Sequence, residues 1–151
     1  MRTLKKIAAI VLAGAMVFSI AGCKKGSKKV SADDFKKVCE EASLKVVDEA
    51  ADEGVTKSLS AKNDDESIEV NFMVAKDEDE AKKGFEYFTN NTDSMKEMGA
   101  DVKSSSDKIE VTMNSLLYMY AVRNGDTIVT VSAAGEEQIK TGKDIVKKLG
   151  I

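Results

Sequence analysis

Residues 116–122 constrain the fold most, because every position in this segment is apolar or aromatic. Alternate side chains of a β-strand point to opposite faces of the sheet. Tyr118 and Tyr120 would then share one face, and Leu117 and Met119 the other. A strand that is apolar on both faces needs cover on both sides. The sequence therefore predicts a central strand with structure packed against each face of its sheet.

Four further segments have the composition and alternation of strands. A weak strand over residues 55–61 turns through residues 63–66 into a stronger one, and two more strands flank residues 116–122. Asn124 and Gly125 predict a type I′ turn, which requires positive φ at both central residues. We expect an antiparallel sheet of about five strands, over residues 55–61, 68–74, 109–113, 116–122 and 128–133.

Three segments have helical spacing of apolar residues. Ser31 is a predicted N-cap. The helix after it either ends near Ser43 or continues to about residue 51, so the sequence allows either helix or strand for residues 44–53. Asp77 and Glu80 have capping-box spacing, and the helix that follows is predicted to end at Gly99. Its apolar face consists of Ala81, Phe85, Phe88, Thr92, Met95 and Met98, and that of the last helix of Ile139, Gly142, Val146 and Leu149.

This order of elements predicts an α+β fold, in which helices pack on an antiparallel sheet. Gly142 is expected to let the last helix approach the sheet closely. We place the single globular domain at residues 32–151, after a signal peptide at residues 1–22 and a Lys-rich tether at residues 23–31. A domain of this size buries enough of its surface to fold without a disulfide or a metal ion.

The first 22 residues have the pattern of a signal peptide. Arg2, Lys5 and Lys6 precede an apolar segment that is too short for a comfortable transmembrane helix. The segment ends in Ile20, Ala21, Gly22 and Cys23, which resembles the lipobox of bacterial lipoproteins.

The resemblance implies that signal peptidase II recognises Ile20, Ala21 and Gly22 and cuts before Cys23. The thiol of Cys23 would carry the diacylglycerol that anchors the protein to the outer face of the cytoplasmic membrane. The remaining chain also resembles small lipoproteins of low-GC Gram-positive bacteria (Firmicutes) whose domains have no assigned activity. That resemblance is carried by the Asp-Asp-Phe start, Gly84 and Phe85, the tyrosine-bearing hairpin and the Lys-Lys-Leu-Gly end.

Charge and composition exclude several classes of function. Seven of the 23 basic residues lie before Val30, whereas all 26 acidic residues follow it, so the domain is acidic and nucleic acid is not expected as a partner. The chain has no His, which removes Ser-His-Asp and Cys-His catalysis and His-ligated zinc. No cofactor is predicted.

Two features could carry chemistry, and a structural role explains each of them better. Cys39 lies on the apolar face of the first helix, where a free cysteine packs as a small hydrophobic residue. The acidic run from Asp77 to Glu80 fits a helix N-terminus, because the Gly and Glu positions of a calcium-binding loop are occupied by Lys82 and Phe88. We predict no metal site.

The candidate binding surface consists of Met73, Leu117, Tyr118, Met119 and Tyr120. Aromatic and Met side chains bury much area and adapt to a ligand, so an open face here would suit binding. The alternative is that both faces belong to the core. We expect a non-enzymatic binding module for a small molecule or an envelope protein; the alternative is a small envelope hydrolase or a thiol enzyme that uses Cys39.

Overall fold

The structure, a computed structural model, describes residues 28–151. The predicted signal peptide and the lipobox residues Ile20 to Cys23 lie outside this range. Within it the chain forms seven strands and four helices. In chain order these are α1 (Ala32–Glu41), β1 (Lys45–Glu49), β2 (Val55–Lys62), β3 (Ile68–Ala75), α2 (Glu78–Asn90), α3 (Thr92–Glu97), β4 (Asp101–Ser104), β5 (Lys108–Met113), β6 (Leu117–Asn124), β7 (Thr127–Ala134) and α4 (Glu136–Leu149).

All seven strands form one antiparallel sheet in the order β1-β2-β3-β7-β6-β5-β4. This confirms the predicted α+β class and the antiparallel sheet, but the expected number of about five strands is wrong. The two extra strands are the edges of the sheet. β1 lies within residues 44–53, for which the sequence allowed either helix or strand. β4 has only four residues, too few to show a clear alternation of apolar and polar side chains.

The sheet consists of two meanders that meet at its centre. β1, β2 and β3 form one meander, and β4 to β7 form the other. They join where β3 pairs with β7, for example with Phe72 opposite Val129. β6 lies between β5 and β7 and is buried from Leu117 to Arg123, which confirms the predicted interior strand with cover on both faces.

The hairpin between β6 and β7 lies where the sequence predicts it, but its turn differs. Asn124 pairs with Thr127, so the two loop residues are Gly125 and Asp126. Positive φ occurs at Gly125 (61°) and at neither Asn124 nor Asp126. A positive φ at the first loop position alone is the pattern of a type II′ turn, which favours Gly there.

The helix predicted to run unbroken to Gly99 is divided at Asn91, so that prediction is wrong. Asn91 Nδ2 donates to the Tyr87 carbonyl at 2.7 Å, and Thr92 Oγ1 donates to the Thr89 carbonyl at 2.8 Å. Side chains of Asn and Thr compete in this way with backbone hydrogen bonds and favour helix ends. The predicted N-cap at Asp77 is confirmed, since Asp77 Oδ1 accepts from the Glu80 N–H at 2.8 Å.

Helices cover both faces of the sheet and create two separate cores. α1 and α4 lie on one face, and their core includes Phe35, Phe72, Tyr118 and Ile145; we call it the α1/α4 core. α2 and α3 lie on the other face, and the α2/α3 core comprises Ala75, Ala81, Phe85, Phe88, Met95, Ile109, Val111, Leu117, Met119, Ala121 and Ile128.

The close approach of α4 to the sheet at Gly142 is confirmed. A Cβ atom at this position would lie 3.2 Å from Ala133 Cβ and 3.3 Å from Val131 Cγ1. That spacing is tighter than ordinary van der Waals contact, so a larger side chain would push the helix off the sheet.

Residues 28–31, at the end of the predicted tether, contact the globular domain. Ser31 Oγ accepts from the Asp34 N–H at 3.0 Å, which confirms the N-cap of α1. Val30, which the sequence assigned to the tether, is only 3% exposed and belongs to the α1/α4 core. Lys29 Nζ lies 2.7 Å from Asp126 Oδ1 in the β6–β7 turn. The end of the predicted tether is therefore packed against the domain.

Candidate functional site

A cavity of about 290 Å³ lies between the sheet and the α2/α3 helices. We call it the α2/α3 cavity. Its helical wall comes from the end of α2, the break at Asn91, α3 and the residue that follows α3, with Tyr87, Phe88, Asn91, Ser94, Met95 and Met98. Its sheet wall comes from three adjacent strands, β5, β6 and β7, with Ile109, Val111, Met119, Tyr120, Ala121, Thr130, Val131 and Ser132.

The small size of several sheet side chains helps to leave this space open. Cross-strand partners share a face, and the register places Ala121 between Ile109 on β5 and Thr130 on β7. In the next row, Met119 lies between Val111 and Ser132. Ala, Ser and Thr at these positions fill less volume than the Val, Ile and Phe residues of the opposite face.

The cavity is apolar, and no charged side chain occurs among the described residues that line it. Met95, Met98 and Met119 supply three flexible thioethers, which adapt to different shapes. Tyr87 is 39% exposed and Met98 49% exposed, so two of the large hydrophobic side chains that reach solvent lie at the helical wall. Such exposed apolar residues beside a concave surface are typical of a ligand site.

Polar side chains continue the sheet surface beyond β7. Thr130 lies opposite Asn71 and Ser132 opposite Glu69, and these two β3 residues are half-buried. Lys62 on β2 lies opposite Glu69, with its Nζ 3.3 Å from Glu69 Oε1. We call Lys62, Glu69 and Asn71 the polar patch. The same face therefore changes from apolar at β5 and β6 to polar at β3 and β2.

The structure divides the predicted binding surface between the two faces. Met119 lines the cavity, Leu117 is buried in the α2/α3 core, and Met73 packs against that core half-buried. Tyr118 and Tyr120 are 1% and 3% exposed and lie in the α1/α4 core, and Tyr120 also borders the α2/α3 cavity. The strand alternation predicted this separation but not which face carries a cavity.

Tyr118 and Tyr120 are core residues, as in the alternative interpretation that both faces of this strand are buried. Their rings stack with centroids 6.5 Å apart, and Lys143 Nζ lies 5.2 Å from the centre of the Tyr118 ring. Burial, together with the charge of Glu110, raises the pKa of Tyr118 well above its usual range. The phenol therefore stays protonated at neutral pH.

Sequence reasoning missed most of the cavity residues. Thr130 and Ser132 are small polar residues at alternate positions of β7, so they mark one face of this strand as less tightly filled. The segment Thr89 to Thr92 marks the helix break that precedes α3. Both signals are present in the sequence, but only the register shows that they face each other.

Cys39 and the acidic run have the structural roles that the sequence favoured. Cys39 is fully buried, and burial raises the pKa of its thiol to about 12. A thiol with this pKa carries almost no thiolate at neutral pH and is a poor nucleophile. Asp77 caps α2, and within residues 28–151 no cluster of three or more Cys, Asp or Glu side chains is placed to hold a metal ion.

Comparisons with known proteins give one structural likeness. No protein-family model matches the chain, and no curated protein matches it. The chain is similar to the extracellular domain of PknH from Mycobacterium tuberculosis, with 14% sequence identity and a TM-score of 0.44, over 99% of this chain and 92% of that chain. A likeness of this strength supports no conclusion about function. Among the described helices, none is long and apolar enough to span a membrane.

Proposed function

We propose that this protein is a membrane-anchored extracytoplasmic lipoprotein that binds a small, largely apolar ligand in the α2/α3 cavity. The observation that carries the proposal is the cavity itself, an open apolar space of about 290 Å³ within a hydrophobic core. Protein interiors normally contain few voids larger than a water molecule. An open apolar space of this size leaves apolar surface in contact with water, and a bound apolar ligand would cover that surface.

The anchor is supported by the sequence pattern from Ile20 to Cys23. A lipid at Cys23 would hold the domain at the membrane through a short Lys-rich segment. The binding role and the anchor are independent of each other, because the cavity lies wholly within residues 28–151. They are therefore tested separately.

A binding role is favoured over the alternative of a hydrolase or thiol enzyme. Cys39 is buried, and its thiol is protonated. The chain has no His, and no charged side chain lines the cavity at the described residues. The titratable side chains among the described residues that line the cavity are those of Tyr87 and Tyr120. The cavity therefore offers an environment that suits apolar molecules.

Binding can be tested with the chain from residue 23 onward carrying Cys23→Ser, which retains every described residue without a lipid. We expect the fluorescence of 1-aminoanthracene, an uncharged apolar probe, to increase saturably on binding. Ala121→Phe should fill the cavity and weaken binding at least tenfold. Ala51→Phe is the matched control, since Ala51 is exposed outside the cavity. Equal binding by Ala121→Phe and the parent chain would contradict the proposal.

Anchoring can be tested in cells by replacing Cys23 with Ala. We expect the variant to accumulate as an unprocessed precursor that incorporates no labelled fatty acid. Cys39→Ala is the control, because Cys39 is buried and should leave lipidation unchanged. Incorporation of label by the Cys23→Ala variant would show that the lipoprotein assignment is wrong.

A further inference from the structure

We infer that the ligand of the α2/α3 cavity is a single-chain amphiphile, with a hydrocarbon tail in the cavity and a small anionic head group at Lys62. This inference rests on the proposed function and adds the chemical class of the ligand. It is carried by the volume of the cavity, by its uncharged lining and by the position of the polar patch on the same sheet face.

The volume sets the length of the tail. A dry cavity of roughly 150 Å³ holds one benzene ring. The α2/α3 cavity, at about 290 Å³, therefore holds roughly a dozen carbon atoms on this scale. Methionines on both walls, Met95 and Met119, suit a flexible chain with many conformations better than one rigid shape.

The pairing of β7, β3 and β2 indicates where the head group would bind. Ser132 lines the cavity, its partner on β3 is Glu69, and the partner of Glu69 on β2 is Lys62. Adjacent strands are about 4.8 Å apart, so Lys62 lies two strand spacings, about 10 Å, from Ser132. A head group that stays outside the cavity beside β7 is thus within reach of the Lys62 side chain.

The charges on this row favour an anion. Lys45 lies opposite Lys62 on β1, so the row carries two ammonium groups and one carboxylate, that of Glu69, which lies between Lys62 and the cavity. The Lys62 side chain is 39% exposed and so remains accessible, although its Nζ contacts Glu69, whose side chain is 15% exposed. Asn71 Nδ2 lies 3.5 Å from Glu69 Oε1 and helps to hold that carboxylate in place. An anionic head that binds Lys62 from the solvent side meets two opposite charges and one like charge, whereas a cationic head meets two like charges and one opposite charge, so the row has a net preference for an anion.

The test compares three ligands that share one tail: decanoate, decanol and decyltrimethylammonium, each displacing 1-aminoanthracene from the Cys23→Ser chain at low salt. We expect decanoate to bind about twofold to fivefold more tightly than decanol, the range of a partly exposed ion pair, and the cation to bind most weakly. Affinity for fatty acids should increase with length to about 12 carbons and then level off.

Two substitutions separate the head from the tail. Lys62→Gln should abolish the preference for decanoate over decanol and leave decanol unchanged, whereas Lys140→Gln, on the opposite helix layer, should preserve it. Ala121→Phe should weaken all three ligands equally, and Ser132→Leu, a second cavity-filling change, should do the same.

The outcomes distinguish this inference from the proposed function. If 1-aminoanthracene binds in the cavity but decanoate has no advantage over decanol, or keeps its advantage in Lys62→Gln, the head-group inference is wrong and the apolar site stands. If Ala121→Phe and Ser132→Leu change no affinity, the tail does not occupy the cavity and both fail.

Discussion

The α1/α4 core and the α2/α3 core lie on opposite faces of one sheet and share its strands. The α1/α4 core contains 20 buried residues, among them Phe35, Phe72 and Tyr118 with 2% exposure or less, and Gly142 lets α4 lie tightly against the sheet. The α2/α3 core contains 11 buried residues and the cavity. The filled core contains most of the buried residues of the two cores, so the other face can leave space for a ligand.

The largest expected contrast is between truncations in the two cores. Phe72→Ala in the α1/α4 core should cost about 3 to 5 kcal/mol of unfolding free energy, because a close-packed aromatic side chain leaves a cavity. Met119→Ala should cost about 2 kcal/mol, since Met119 already lacks packing partners on its cavity side. Urea unfolding measures both. Equal losses would show that the two cores are packed alike.

The next contrast is between two substitutions that add volume. Gly142→Leu should destabilise the protein by about 1 to 3 kcal/mol or more, because even a Cβ atom there would crowd Ala133. Ala121→Leu should be neutral or stabilise by up to about 1 kcal/mol, because it extends into the cavity. Thermal melts would show this difference, and a loss for Ala121→Leu as large as for Gly142→Leu would contradict it.

A third prediction concerns Cys39 in the filled core. Cys39→Ser should lower the unfolding free energy by about 1 to 3 kcal/mol, because it places a hydroxyl group in an apolar site without a hydrogen-bond partner. Cys39→Ala removes the thiol without adding a polar group and should cost less. In the native protein a thiol reagent should react with Cys39 only as fast as the chain unfolds. Rapid reaction of the folded protein would restore the thiol-enzyme alternative.

The smallest expected effect is the pH dependence at Asp126. Burial acts to raise the pKa of Asp126, but hydrogen bonds from Lys29 and Thr127 outweigh it and hold the pKa below the ordinary value of 3.8. A carboxyl group with a depressed pKa stabilises the fold above its unfolded-state pKa, and this contribution is lost as the pH falls through the folded pKa.

We therefore expect Asp126→Asn to lose at most about 1 kcal/mol at neutral pH, because the pair with Lys29 is partly exposed. The difference from the parent chain should vanish as the pH falls below about 4. Unfolding free energies measured from pH 7 to pH 3 give this difference directly. A difference that grew toward low pH would reverse the assigned sign.

Local sequence patterns predict much of this fold. Capping at Ser31 and Asp77, the alternation in β3, the apolar β6 and the close approach at Gly142 each depend on residues near one another in the chain. The two edge strands were harder to predict because they are short and charged. The break at Asn91 required weighing side-chain hydrogen bonds from Thr and Asn against an apolar stripe that continues to Met98.

The cavity could not be predicted in the same way, because it depends on which residues face each other across the sheet. The sequence shows that Met119 and Tyr118 lie on opposite faces of β6, but not which face is filled. The pairing of β3 with β7 places Asn71 beside Thr130, and that long-range register has no local signal. Reasoning from aromatic side chains therefore favoured Tyr118 and Tyr120, while the space lies under small residues.

The pairing of β3 with β7 also determines the order in which the chain can fold. Every other strand pair in the described sheet joins strands that are neighbours in sequence. Between β3 and β7, in contrast, the chain forms α2, α3 and three strands. Such long-range closure is slow compared with hairpin formation. During synthesis the inner edge of β3 remains unpaired until β7 emerges, so the aggregation risk lies at the future centre of the sheet.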